Sequence, residues 1–191
     1  MLEEDSLERA IEVLGSLLEE RGLGYEIVVV GGSALLLLGI IRRPTRDLDV
    51  LALVSHGEYI TAQPLPADLQ QAALDVAELF GLAPDWLNSG PTAQIRSGLP
   101  EGFEKRVETR IYRSLVVHIA SRLDHIYLKL HAAVDDWWGT GKGKHYDDLR
   151  RLAPTPQELL DAAQWVLGQD TGAEFPGEVA AVLRAFGVEN A

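Results

Sequence analysis

Cysteine is absent from the chain, which excludes a disulfide framework and any thiolate metal site. Long apolar runs are missing as well. The longest, near Ala34 to Ile41, falls far short of the roughly 20 residues that span a bilayer. The N-terminal Met-Leu-Glu-Glu-Asp lacks the basic-then-apolar order of a signal peptide. Nor is there an excess of positive charge: 29 acidic residues stand against 17 basic ones, for a net charge of −12. Such a surface repels polyanions at long range and excludes general DNA binding. It leaves room for local basic clusters, and two exist, Arg42/Arg43/Arg46 and Lys142/Lys144/His145. Internal repeats and low-complexity tracts are absent. These absences lead to the expectation of a soluble, cytoplasmic protein with no membrane partner. At 191 residues it fits one domain, or one with a modest appendage, and can bury a core without staples.

What is present is organised around Ile27 to Leu53. Ile27-Val28-Val29-Val30 reads as a β-branched strand that breaks at Gly31-Gly32. Ser33 is placed to N-cap a short apolar helix over Ala34 to Ile41. A basic turn, Arg42-Arg43-Pro44-Thr45-Arg46, leads into a second strand, Asp47 to Leu53. Strand alternation puts Asp47 and Asp49 on one face and Leu48 and Val50 on the other. Two adjacent carboxylates repel each other, so the pair makes best sense around a cation. Hard divalent ions such as Mg2+ take one or two carboxylates plus phosphate oxygens from a substrate. A Cβ at Gly32 is expected both to strain the backbone and to crowd a phosphate at the helix start.

Gly-Ser, thirteen intervening residues, then Asp-hydrophobic-Asp-hydrophobic resembles the signature of the polymerase-β-type nucleotidyltransferase superfamily. A second constellation sharpens this. Lys129-Leu130-His131-Ala132, followed by Asp148-Leu149 and Leu152, is similar to the Lys-Leu-x-Ala … Asp-Leu-x-x-Leu region of the AbiEii-type toxin nucleotidyltransferases and their bacterial relatives. Those relatives also share Gly-Gly-x-Ala-Leu, here Gly31 to Leu35, and Arg-x-Thr-x-Asp-Leu-Asp-Val, here Arg43 to Val50. The blocks run from Val30 to Leu152, close to two thirds of the chain. The resemblance implies an α+β fold: a mixed sheet carrying the metal aspartates, packed with helices, and a helical C-terminal half. The division falls at 1–121 and 122–191. It implies catalytic roles for Asp47, Asp49, Lys129 and Asp148, with Asp47 and Asp49 holding Mg2+ or Mn2+. Gly31, Gly32, Ser33, Arg43, Thr45 and Arg46 would bind the nucleotide. His145 stands where those relatives usually carry Asp, and Asp136 near the place of their arginine.

Around these motifs the periodicity predicts a scaffold helix over Asp5 to Arg21, with Leu7, Ile11, Leu14 and Leu18 on one face. It predicts another over Ala67 to Leu79, stopped by Gly81. Pro84 to Gly102, rich in Gly and Pro, reads as a surface loop with a short strand at most. Lys105 to Tyr112 and Ser114 to Ala120 read as two strands turning at Arg113. Helices follow over Leu123 to Trp138, His145 to Leu152, Glu158 to Val166 (N-capped by Thr155) and Pro176 to Phe186.

Each candidate has two readings. Lys129 points its ammonium at a triphosphate, or snorkels over an apolar stripe as a surface lysine. In the first reading its charge can be removed with little loss of stability. Asp148 completes a carboxylate cluster or holds Lys129, or is an exposed acid favoured by a helix dipole. His118 lines the site or is satisfied elsewhere. Trp137 and Trp138 belong to an interface or to buried packing. Asp85, Glu108 and Asp148 are candidates for a third metal carboxylate. The function expected is transfer of a nucleoside monophosphate from a nucleoside triphosphate to a tRNA, a protein side chain or a small molecule, in a toxin–antitoxin setting. The alternative is an inactive nucleotidyltransferase fold serving as a binding or regulatory module.

Overall fold

In the computed structural model, which describes residues 2–140 and 143–188 but not the side chains of 137–140, the first element is the expected scaffold helix. It is α1 (Glu4–Glu20), whose Leu7, Ala10, Ile11, Leu14 and Leu18 are fully buried along one stripe. Burying each leucine or isoleucine contributes about 1.5–3 kcal/mol. Glu4 and Asp5 in its first turn complement the helix dipole.

The chain continues as β1 (Tyr25–Val30), α2 (Gly31–Leu37), β2 (Leu48–Ser55), β3 (Glu58–Thr61), α3 (Ala67–Phe80) and β4 (Leu87–Asn88). A 3-10 turn (Gly90–Ala93), α4 (Gln94–Ser97), α5 (Phe103–Arg106), β5 (Glu108–Tyr112) and β6 (Leu115–Ile119) follow. The strands form one mixed sheet in the order β3-β2-β1-β6-β5, with β4 also paired to β2. β1 runs antiparallel to β2 and parallel to β6, whereas β4 runs parallel to β2. This is the α+β, mixed-sheet architecture expected. Gly15 on α1 lies directly against the Tyr112 backbone, and Glu8 accepts from Arg110 and Tyr112. α1 therefore covers the sheet face that carries Arg110 and Tyr112. The opposite face carries Glu26, Val28 and Val30 on β1, with His118 opposite Val28 and Asp49 opposite Val30.

Two expectations need correction here. β3 went unread because its four residues are too short for a periodicity signal. It closes a hairpin through His56 (φ 52°) and Gly57 (φ 81°), two left-handed residues suited to a tight turn. The stretch from Pro84 to Gly102 is not a mere surface loop. Trp86 within it is fully buried and donates its indole N–H to the Ala73 carbonyl at 2.8 Å. The same stretch holds β4, the 3-10 turn and α4, and α5 begins just beyond it at the buried Phe103, which packs edge-on against Tyr59. Gly and Pro marked the turns correctly, but not the aromatic anchors between them.

The residues divide into two compact units, Met1–Ala120 and Ser121–Ala191. The second is helical: α6 (Arg122–Thr140), α7 (Lys144–Arg151), α8 (Pro156–Leu167) and α9 (Phe175–Ala185). Ile126, Leu130 and Ala133 on α6 are fully buried, as their spacing requires. Trp137, Trp138 and Lys142 fall outside the described side chains. Thr155 caps α8 through a full capping box: its Oγ1 accepts from the Glu158 N–H, and Glu158 accepts from the Thr155 N–H. Glu158 also receives the Arg122 guanidinium, which in addition donates to the carbonyls of Leu152 and Ala153. Among the described residues no helix is long and apolar enough to cross a membrane.

Candidate nucleotidyl-transfer site

The organising stretch folds as strand, short helix, turn and strand, with one revision. α2 begins at Gly31, not after Ser33, and its N-cap is Val30. Ser33 lies inside the helix, fully buried, with Oγ turned back to the Val30 carbonyl at 3.5 Å. Its hydroxyl is thus directed to the backbone of its own helix start rather than capping the helix. The reason is Gly31, which adopts φ +82° and lets the chain turn into the helix three residues earlier than an N-capping Ser33 would.

At 47–50 the burial alternates as the strand pattern requires. Asp47 and Asp49 are half-buried, and Leu48 and Val50 are buried. Asp49 packs over Gly31 so closely that a Cβ there would overlap Asp49 Oδ2. The glycine that the site requires is thus Gly31. Gly32 has no positive φ, and a Cβ on it would meet only Thr45 Oγ1 at 3.5 Å and Arg43 Nη2 at 3.9 Å. The strain expected at Gly32 is therefore not there. The same distances place Arg43 and Thr45 beside the first turn of α2. Thr45 is buried: its Oγ1 donates to the Asp47 carbonyl at 3.3 Å, and its backbone pairs with Leu2 in both directions. Arg46 is exposed.

The residue that sequence reasoning missed is Asn88. β4 pairs with β2 so that Asn88 lies directly opposite Asp49, and Asn88 Nδ2 donates to Asp49 Oδ1 at 3.1 Å. Asn88 Oδ1 accepts from the Gly90 N–H at 2.9 Å, which fixes the orientation of the amide. A two-residue strand carries no periodicity by which to find it. Of the third-carboxylate candidates, Asp85 is exposed and lies in the turn before β4, outside the paired residues. Glu108 lies on β5, three strands from β2 (about 14 Å), and is ion-paired with Arg110. Neither is brought beside Asp49. Among the described residues no cluster of three or more His, Cys, Asp or Glu forms that could hold a metal.

His118 shares the sheet face of Asp49 but stands two strands away. Its Nε2 contacts Glu26 at 2.5 Å and its Nδ1 contacts Thr109 at 2.8 Å. Both ring nitrogens are taken up by cross-strand partners.

Lys129 and Asp148 form a cluster within the helical unit. The Lys129 side chain is 10% exposed and that of Asp148 4%, and Nζ donates to Asp148 Oδ2 at 3.1 Å. Lys129 is neither a snorkelling surface lysine nor an isolated charge, and Asp148 is not an exposed acid. Arg151 holds the other Asp148 oxygen at 3.2 Å, and His145 Nδ1 lies 3.3 Å from Lys129 Nζ. Burial, and then the Lys129 charge, push the His145 pKa below its ordinary value. An ammonium can only donate, so His145 Nδ1 is the acceptor in this contact.

No curated protein and no solved structure matches the chain. Residues 5–136, about two thirds of its length, match the family described as nucleotidyltransferase of unknown function (DUF6036). That span contains α1 from its second residue on, both strands of the aspartate motif, Asn88 and most of α6. The chain belongs to this nucleotidyltransferase family.

Proposed function

We propose that the protein transfers a nucleoside monophosphate from a nucleoside triphosphate to an acceptor oxygen at Asp47 and Asp49, with Mg2+ or Mn2+ as cofactor. The observation that carries this is the Asp47/Asp49 pair: two half-buried carboxylates at alternate positions, one packed over Gly31 and bonded to Asn88. Isolated, such a pair is repulsive, and two carboxylates are what Mg2+ ordinarily takes from a protein when phosphate oxygens supply further ligands. The donor set, oxygen only and with no thiolate, suits that ion. Bound there, the ion would neutralise phosphate oxygens and acidify the acceptor hydroxyl.

The chain's own residues supply the rest. Arg43, whose guanidinium lies beside the first turn of α2, would meet the triphosphate, and exposed Arg46 would add positive charge from the preceding turn. Gly31 and Gly32 keep that turn free of side chains. α2 has only seven residues, so the reading rests on these side chains rather than on a helix dipole. In the reaction the acceptor oxygen bonds to the α-phosphorus, the bond to the β-phosphate oxygen breaks, and pyrophosphate leaves. Alignment and charge stabilisation supply most of the rate in such a transfer.

Lys129 and Asp148 enter this reading through the resemblance to the AbiEii-type enzymes, together with a toxin–antitoxin setting. Acceptors of that setting are a tRNA 3′ end or a protein side chain. The test is incubation with each α-labelled nucleoside triphosphate, Mg2+ and an extract of total tRNA and protein. Label in the tRNA fraction, the protein fraction or neither assigns the acceptor class. A second reading, an inactive binding module, is favoured by the lack of a three-ligand cluster among the described residues. Mg2+-independent nucleotide binding without pyrophosphate release would establish it.

A further inference from the structure

Asn88 is paired directly with Asp49 from the β4 side, yet contributes no charge. Its amide nitrogen faces the Asp49 carboxylate, and its oxygen is committed to Gly90 N. The reverse orientation would set an N–H against an N–H, so the donor end must face Asp49. A donor there has two effects. It fixes the rotation of the Asp49 carboxylate, and it keeps the position paired with Asp49 from adding a further negative charge. Arg43, beside the first turn of α2, opposes the charge of the two aspartates. A dication arriving alone therefore meets two carboxylates and a nearby guanidinium, whereas one arriving with a triphosphate meets additional oxygens and a strong excess of negative charge. The number of charged ligands is what sets divalent-ion affinity in oxygen sites.

We propose that Asn88 is a positioning residue that orients Asp49 and makes cation binding conditional on nucleotide, so that metal and triphosphate are taken up together. This rests on the function proposed above for the Asp47/Asp49 pair. It specifies how the site is loaded: the apo protein holds the ion weakly, and the nucleotide completes the coordination.

The substitutions have opposite signs, which a merely structural asparagine would not produce. Asn88→Asp keeps the shape and the Gly90 bond while adding a third carboxylate opposite Asp49. It should lower thermal stability in chelator, through like-charge repulsion, and regain it with Mn2+. Asn88→Ala releases the Asp49 carboxylate without adding charge. Equilibrium dialysis with Mn2+ is run with and without the α,β-methylene analogues of the four nucleoside triphosphates, on wild type and both variants. Wild type should bind Mn2+ about tenfold or more tightly with an analogue than without. Asn88→Asp should gain about tenfold or more in Mn2+ affinity without analogue, and Asn88→Ala should lose several-fold with it. Asp47-dependent Mn2+ binding by wild type that is equally tight with and without analogue overturns the inference while leaving the proposed function standing. A folded Asn88→Asp with no gain also overturns it. Failure of every protein to bind Mn2+ even with an analogue overturns both.

Discussion

Gly31 is where the fold and the site constrain the same atom. Its φ of +82° lies in the left-handed region, which costs an L-residue about 1–2 kcal/mol. A Cβ would in addition overlap Asp49 Oδ2, and that oxygen cannot simply swing away while Asn88 holds its partner Oδ1. Adding about 1 kcal/mol for forcing the carboxylate off its rotamer gives Gly31→Ala a destabilisation of about 2–3 kcal/mol. For a chain of this size that is a fall in melting temperature of roughly 4–12 °C. The neighbouring Gly32→Ala is the control, because its Cβ makes only ordinary contacts and its φ is not positive. Thermal unfolding followed by circular dichroism, paired with Mn2+ titration in the presence of nucleotide, reads both effects. Gly31→Ala should lose stability and cation affinity, and Gly32→Ala should lose little stability. Equal melting temperatures for Gly31→Ala and wild type, or a larger loss at Gly32, would refute the reasoning.

Other substitutions probe the remaining elements. Lys129→Met removes the ammonium that pairs with the buried Asp148, so stability should fall by about 2–4 kcal/mol in urea titration. This contradicts the sequence-based expectation of little change. In the same variant His145 should titrate at higher pH by NMR, since the repelling charge is gone. Glu158 has its pKa lowered to about 2, chiefly by the Arg122 hydrogen bond, so its stabilisation is complete above its unfolded value of 4.5 and is lost as pH falls toward 2. Allowing for solvent screening, that is about 1–2 kcal/mol. Glu158→Gln should lose it at neutral pH and show a flatter acid limb. Asp47→Asn should abolish nucleotide-dependent Mn2+ binding while raising stability in chelator by up to about 1 kcal/mol, by removing one of two repelling charges.

Much of this was legible from the chain. α1, α3 and the long α6 declared themselves through unbroken helical periodicity, and Thr155 through a capping signature that the structure reproduces atom by atom. The Asp47/Asp49 alternation followed from strand geometry alone, because Leu48 and Val50 need the core. What escaped has physical reasons. Ser33 carries the right chemistry for an N-cap, but a positive-φ glycine upstream started the helix earlier. β3 and β4 are too short to show a period, and Asn88 acquires its meaning only through pairing with a strand 39 residues away. The Lys129–Asp148 contact was half visible in a motif, whereas its burial depends on how α6 and α7 pack.

The central claim, that Asp47 and Asp49 carry a metal-dependent nucleotidyl transfer, is tested most directly by pyrophosphate release. Wild type, Asp47→Asn and Asp49→Asn would be incubated with the four nucleoside triphosphates, Mg2+ and the extract of total tRNA and protein. The account predicts Mg2+-dependent pyrophosphate from wild type, abolished by chelator and by either substitution in a folded protein. Release that persists undiminished in folded Asp47→Asn and Asp49→Asn, or that is absent from wild type with every triphosphate, would contradict it.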